Sequence, residues 1–283
     1  MTIASADLQC WREEFVRVLI ASLLAGACFA SVPVKGQVAT QPPQKTAPNV
    51  RAEDGGVNET MESIVVSAKP QAPFTLMLET EWVRMLADGG TITLENKRRI
   101  ARDAGGRIYQ ERWFLVPKNG DQKSEMTTIQ ISDPNAHTLY NCFFVGDKKN
   151  VCELLTYTPR TPAVNVSGKS PAAGDLPGNR GSFFHETLGK QFISGVETVG
   201  VRDATTYNPG VFGNDRKVTA EREAWYSPEL DLNLLSIRSD PRNGKQTFTA
   251  TNVVLGDPDP LLFELPAGFK VVDHRLTSPA EPN

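Results

Sequence analysis

Histidine is scarce in this 283-residue chain: His137, His185 and His274 are all there is, widely spaced and outside any cluster of metal ligands. No Gly-x-Ser-x-Gly occurs, so the usual nucleophile elbow is absent. Gly168-Lys169-Ser170 ends like a phosphate-binding P-loop, but Ala163 stands where the first glycine is required. His185-Glu186 opens a zinc-protease motif whose second histidine would fall at Gly189. Carboxylates recur at a spacing of two, as Glu79/Glu81, Glu221/Glu223 and Asp257/Asp259. On a strand such pairs share a face, which suits a solvated edge far more often than acid–base chemistry. These absences leave no catalytic set, no metal site and no cofactor motif, and the expectation is a protein that is not an enzyme.

Charge of one sign is lacking too. The formal net charge is -3, which asks for no nucleic-acid partner. The local exception is Lys97-Arg98-Arg99 with Arg102 and Arg107. Strand alternation would divide these between two faces, giving a solvated strand face or a site for phosphate head groups.

One apolar run stands out, Val18 to Ala30, thirteen residues ending in Leu-Leu-Ala-Gly-Ala-Cys-Phe-Ala. It has the length of a secretory signal core and is short for a membrane span. Arg12 and Arg17 flank it, offset by Glu13 and Glu14. Three outcomes stay open: cleavage after Ala27 or Ala30, lipid attachment at Cys28 in a lipobox-like setting with Ala25 in the place of leucine, or an uncleaved anchor. The chain is therefore expected to be exported, in a bacterial periplasm or cell envelope, touching membrane only through this leader or a lipid anchor. Residues 1–30 form the leader, and residues 31–73 a flexible tether rich in Pro, Gln, Ala, Thr and Gly. A single domain is expected over 74–275, with a disordered tail at 276–283.

Within 74–275 helical periodicity is missing. Turn signals such as Asp88-Gly89-Gly90, Asn119-Gly120, Asp133-Pro134-Asn135 and Asp240-Pro241-Arg242-Asn243-Gly244 recur at strand-like intervals. Between them residues alternate: Phe74, Leu76, Leu78 and Trp82 share one parity, as do Ile129 with Ile131, and Leu230, Leu232 and Leu234. The pattern predicts a mainly β domain of about ten antiparallel strands with little helix. The one short helical turn is expected at 257–262, with Asp257 as cap and Pro258 in its first position. Residues 159–182, thick with Pro, Gly and Ser, read as a long loop. Cys142 and Cys152 lie symmetrically about Asp147, which sets them opposite each other on a hairpin and predicts a disulfide in an oxidising compartment.

The stretch from Gly189 carries Ser-Gly-Val-Glu-Thr-Val-Gly, then Glu-Arg-Glu-Ala-Trp-Tyr-Ser-Pro-Glu-Leu. It closes with Phe263, Pro266, Gly268 and Val271-Val272-Asp273. That ending is similar to the end of LolA-type periplasmic lipoprotein carriers and related envelope proteins. From Phe74 to Asp273 the order also resembles a group of uncharacterised secreted acidobacterial proteins that carry a Gly-Arg-rich hairpin like Ala101 to Arg112. The carrier resemblance implies a curved antiparallel sheet, a half-barrel around an apolar cavity for acyl chains. The carriers place an amphipathic helix before the first strand, where this chain has its Pro-rich tether. On this reading Leu76, Leu78, Trp82, Trp113, Ile129, Ile131, Phe143, Trp225, Leu232 and Leu234 are the residues expected to line an apolar cavity. The partner is then a lipid or lipoprotein. The competing expectation is an envelope protein–protein interaction or sensor module with a filled core and no small-molecule cavity.

Overall fold

The computed structural model describes residues 64–158 and 173–275. The leader with Cys28, most of the tether, the centre of the long loop and the tail lie outside the described residues. Among the described residues fourteen strands form one open sheet. In chain order they are β1 (Phe74–Met85), β2 (Thr91–Arg102), β3 (Ile108–Trp113), β4 (Val116–Pro117), β5 (Met126–Asp133), β6 (Thr138–Phe143) and β7 (Val151–Thr156). There follow β8 (Gly174–Leu176), β9 (Gly181–Ile193), β10 (Val196–Tyr207), β11 (Val218–Ser227), β12 (Leu232–Asp240), β13 (Gly244–Leu255) and β14 (Lys270–Asp273). The spatial order is β14-β7-β6-β5-β3-β2-β1-β13-β12-β11-β10-β9-β8, with β4 paired to β2 outside that path. The mainly β, antiparallel architecture expected from the alternation is the one observed. The exception is β14, which runs parallel to β7.

Among the described residues helix is confined to two 3-10 turns, Pro177–Asn179 and Pro260–Phe263. The second is the expected one displaced by two residues. Asp259 is its cap, accepting from the Leu261 N–H at 3.0 Å, and Pro260 leads it. Asp257 instead accepts from the Ala104 N–H at 2.9 Å, tying this segment to the β2–β3 turn.

The sheet carries a core on each face. Adjacent strand residues point to opposite sides, and Ile100 belongs to one core while Ala101 belongs to the other; Ile108 and Tyr109 divide in the same way. The first core gathers Phe74, Leu76, Leu78, Ile100, Leu232, Leu234 and Phe248, every one at most 1% exposed. Ile64 and Val66 lie against it. The second core gathers Tyr109, Ile129, Ile131 and the Cys142–Cys152 pair, with Phe263, Leu265 and Phe269 from the C-terminal segment packed on it. Cys142 and Cys152 are in direct register and disulfide-bonded, with Cα atoms 3.9 Å apart.

Residues 64–73, which composition assigns to the tether, are thus packed, and the packed part of the chain starts before Phe74. Besides the apolar contacts of Ile64 and Val66, they are held by a polar clasp. Arg102 is fully buried and donates to the carbonyls of Ser67 at 2.8 Å, Ala72 at 2.7 Å and Leu230 at 2.7 Å. Burial pushes its guanidinium down to about 10, against the opposing pull of Asp231. A buried cation costs several kcal/mol of desolvation, and charge-assisted bonds to three carbonyls offset that only while the clasp is closed. One guanidinium thereby fastens the N-terminal segment and the β11–β12 turn to the same strand.

Candidate functional site: a charged trench on the sheet

β1 places Leu76 and Leu78 in the first core, so Met77, Glu79 and Glu81 face the other way. In register with them on β2 stand Arg99, Lys97 and Glu95, and on β13 Thr251, Thr249 and Thr247. Together with Glu111 and Trp113 of β3, and Val116 and Lys118 near β4, these walls enclose a cleft of about 690 Å3. Its floor is hydroxyl-bearing and its sides are charged, with Met77 and Trp113 as apolar patches.

Glu111 organises one wall. It accepts from the Tyr109 hydroxyl at 3.0 Å, the Trp113 indole N–H at 2.9 Å and the Arg99 backbone N–H at 3.0 Å. Burial pushes the Tyr109 phenol up, and the neighbouring Glu111 carboxylate pushes it further. Phenol and indole are therefore fixed as donors at neutral pH, and the Trp113 ring is held at a set angle to the cleft. Lys97 lies 2.8 Å from Glu79, whose hydrogen bond and charge raise its pKa. Lys118 bonds Glu81, which raises it likewise, and lies 4.0 Å from Glu95. Among the described residues the Arg99 side chain enters no ion pair, so it is the charge this wall leaves for an incoming group.

The basic run read from the sequence divides as alternation predicts. Lys97 and Arg99 face the trench, whereas Arg98 and Arg102 are buried. Burial, with Arg112 adding to it, pushes Arg98 down to about 9, and Glu111 opposes the shift. Arg107 pairs with Asp103 at 2.6 Å. The carboxylate pairs, the exposed Glu221 apart, are likewise engaged in structure. Glu79 and Glu81 hold lysines, Glu223 accepts from Trp225 and Arg202, and Asp257 and Asp259 hold turns.

The ten residues expected to share one cavity are not brought together. Leu76, Leu78, Leu232 and Leu234 are solid parts of the first core, and Ile129 and Ile131 belong to the second. Trp82 is buried at the β12–β13 turn, its indole donating to the Asn243 carbonyl at 2.7 Å. Trp225 lies on Gly200 of β10, where a Cβ would come within 2.6 Å of the ring. Phe143 is half-buried beneath Lys148. Only Trp113 reaches the trench. The physical reason is what covers the sheet. Irregular segments at 64–73 and 260–269 pack on its two apolar faces, and such segments have no periodicity to announce them.

Sequence reasoning offered Arg99 only as part of a basic run that could meet phosphate head groups, and it passed over Glu111, Lys118 and Thr249. The available signal was Glu95-x-Lys97-x-Arg99 beside Glu79-x-Glu81, charged on one parity of two neighbouring strands. Among the described residues no group of His, Cys, Asp and Glu could hold a metal ion, and no helix is long and apolar enough to cross a membrane.

No family model and no curated protein matches the chain. Solved structures similar to it include the Pseudomonas aeruginosa MucA/MucB complex, at 14% identity and TM-score 0.36 over 72% of this chain and 59% of that one. An uncharacterised conserved protein from Thermus thermophilus is similar at 10% identity and TM-score 0.36, covering 72% of this chain and 91% of that one. A LolA superfamily protein from Nitrosomonas europaea is similar at 10% identity and TM-score 0.25, covering 71% of this chain and 99% of that one. The match thus spans about three fifths of the MucA/MucB chain. These are likenesses of fold, and none assigns a ligand or an activity to this chain.

Proposed function

We propose that this is an exported, non-catalytic binding domain that takes a polar segment of another cell-envelope protein in the trench between β3 and β13. The observation that carries this reading is a contrast of surfaces. Eight of the ten side chains expected to meet acyl chains are buried against protein, while the open cleft sets Glu79, Lys97, Arg99, Lys118 and threonines beside Met77, Trp113 and Val116. An acyl chain on such a floor would strip water from Arg99, from the Glu79–Lys97 pair and from the threonine hydroxyls while offering them no hydrogen bond, which is unfavourable. A polypeptide supplies both charges and backbone groups to match them.

Placement of a photo-crosslinking residue at Thr249, in full-length protein expressed in the native host, tests this. The same residue at the exposed Thr187 of β9 serves as control. A discrete protein–protein adduct from position 249 and none from 187 is expected. A lipid adduct at 249, or equal labelling at both positions, would count against the reading.

A further inference from the structure

The trench is unevenly paired along its length. Three cross-strand pairs of β1 and β2 line it in succession: Met77 opposite Arg99, Glu79 opposite Lys97, and Glu81 opposite Glu95. The middle pair is an ion pair and satisfies itself. At one end two carboxylates face each other, and like charges so placed repel. They share the single ammonium of Lys118, which bonds Glu81 and lies 4.0 Å from Glu95, beyond hydrogen-bond reach. This end has acceptors to give. At the other end the Arg99 side chain is exposed and enters no ion pair among the described residues. Its carboxylate neighbour is already filled. Glu111 Oε1 accepts from the Tyr109 hydroxyl, and Oε2 accepts from both the Arg99 backbone N–H and the Trp113 indole. One oxygen thus ties Arg99 to Trp113 and leaves the guanidinium as the donor at that end.

We infer that the trench takes an extended peptide segment carrying an acidic and a basic residue four positions apart, the carboxylate on Arg99 and the cation on Glu95 and Glu81. The inference rests on the reading of the trench as a protein site and names the chemistry of the partner. Arg99 and Glu95 are four residues apart on β2, about 13 Å at the rise of a strand. A segment lying along the strands repeats that rise, and residues four apart on it share a face. The guanidinium fork matches the two oxygens of a carboxylate, with Trp113 and Met77 as apolar surface beside it. A segment with two charges of one sign meets the wrong group at one end, so the trench selects by sign and spacing together. A fatty acid satisfies the Arg99 end and leaves the other unmatched.

Full-length protein is panned against a phage-displayed library of random peptides, and the enriched peptides are resynthesised for titration. Enrichment of an acidic and a basic residue at a spacing of four is expected, with affinity that falls as salt rises. R99Q is expected to weaken these peptides at least tenfold and to remove the acidic preference alone, and E95Q to remove the basic preference alone. R99E is expected to select two basic residues at the same spacing, a change that a merely structural arginine would not produce. Both positions lie on the open wall, so the thermal midpoints of the variants are expected to match the wild type. No enrichment over the unselected library, peptides that lack the pair, or unchanged binding by R99Q protein overturns the inference. The photo-crosslink at Thr249 separates this failure from failure of the reading beneath it. A protein adduct whose linked segment lacks the pair overturns the two-charge segment and keeps the trench as a protein site, whereas a lipid adduct overturns both.

Discussion

Leu78 and Glu79 are neighbours on β1 and live in different worlds. Leu78 is fully buried against Ile100 and Phe248, while Glu79 sits in water on the trench wall, bonded to Lys97. The same strand thus builds a closed apolar face and an open charged one. The closed face is stabilised by area removed from water, and the open face contributes little to stability. What the open face retains is a set of charges and hydroxyls held in place by strands that the closed face makes rigid. Stability and recognition are divided by strand parity, and each side of that division can be broken alone.

The largest effect is expected where the closed face depends on a charge. Arg102→Met leaves three buried carbonyls without their donor, and a loss of about 3–5 kcal/mol is expected by urea denaturation. A loss below about 1 kcal/mol would show that water replaces the guanidinium and that the clasp is not closed. Leu78→Ala should cost about 2–5 kcal/mol, while Glu79→Ala on the adjacent position should stay within about 1 kcal/mol. Equal losses at the two positions would erase the contrast between the faces. The Cys142→Ala, Cys152→Ala double variant should lose about 2–3 kcal/mol, since the bridge closes a hairpin loop and packs in the second core. Peptide mapping without reductant should recover the two cysteines linked.

A smaller effect follows from pH. Burial pushes the Asp231 carboxyl up, but hydrogen bonds from Ser67 and Tyr226 and the charges of Lys69 and Arg102 outweigh it and hold it below its ordinary 3.8. A depressed carboxylate adds stability that is fully present above the unfolded value and is lost as pH falls through the folded one. Acid titration below about pH 4 should therefore loosen residues 64–73 before the sheet, with faster amide exchange there first. Asp231→Asn should flatten that dependence. Exchange rising uniformly over the domain would contradict the assignment to the clasp.

Much of the fold was legible because it is local. Period-two alternation in Phe74–Trp82 marked β1, and the symmetry of Cys142 and Cys152 about Asp147 gave the β6–β7 register residue for residue. The three shortest strands, β4, β8 and β14, and the packed segment 64–73 were not legible, because two to four residues carry no period and Arg102 reaches its carbonyls across 30 or more positions of sequence. The cavity reading failed for a related reason. Apolar alternation says that a face is covered and does not say by what, and here Ile64, Val66, Phe263 and Phe269 cover it. The trench was visible only as charge on one parity of β1 and β2, a pattern that solvated strands share, so it needed the third and fourth walls from β3 and β13 to become a site.

The central claim is that the open charged trench binds protein and that the apolar cores, closed by the protein's own segments, take no acyl lipid. Native mass spectrometry of the full-length protein, released gently from its own envelope, tests it most directly. The account predicts the polypeptide, with whatever covalent processing its leader undergoes, alone or in complex with a second protein, and without non-covalent lipid. A retained acyl lipid that disappears in Leu234→Asp protein that is still folded would contradict it.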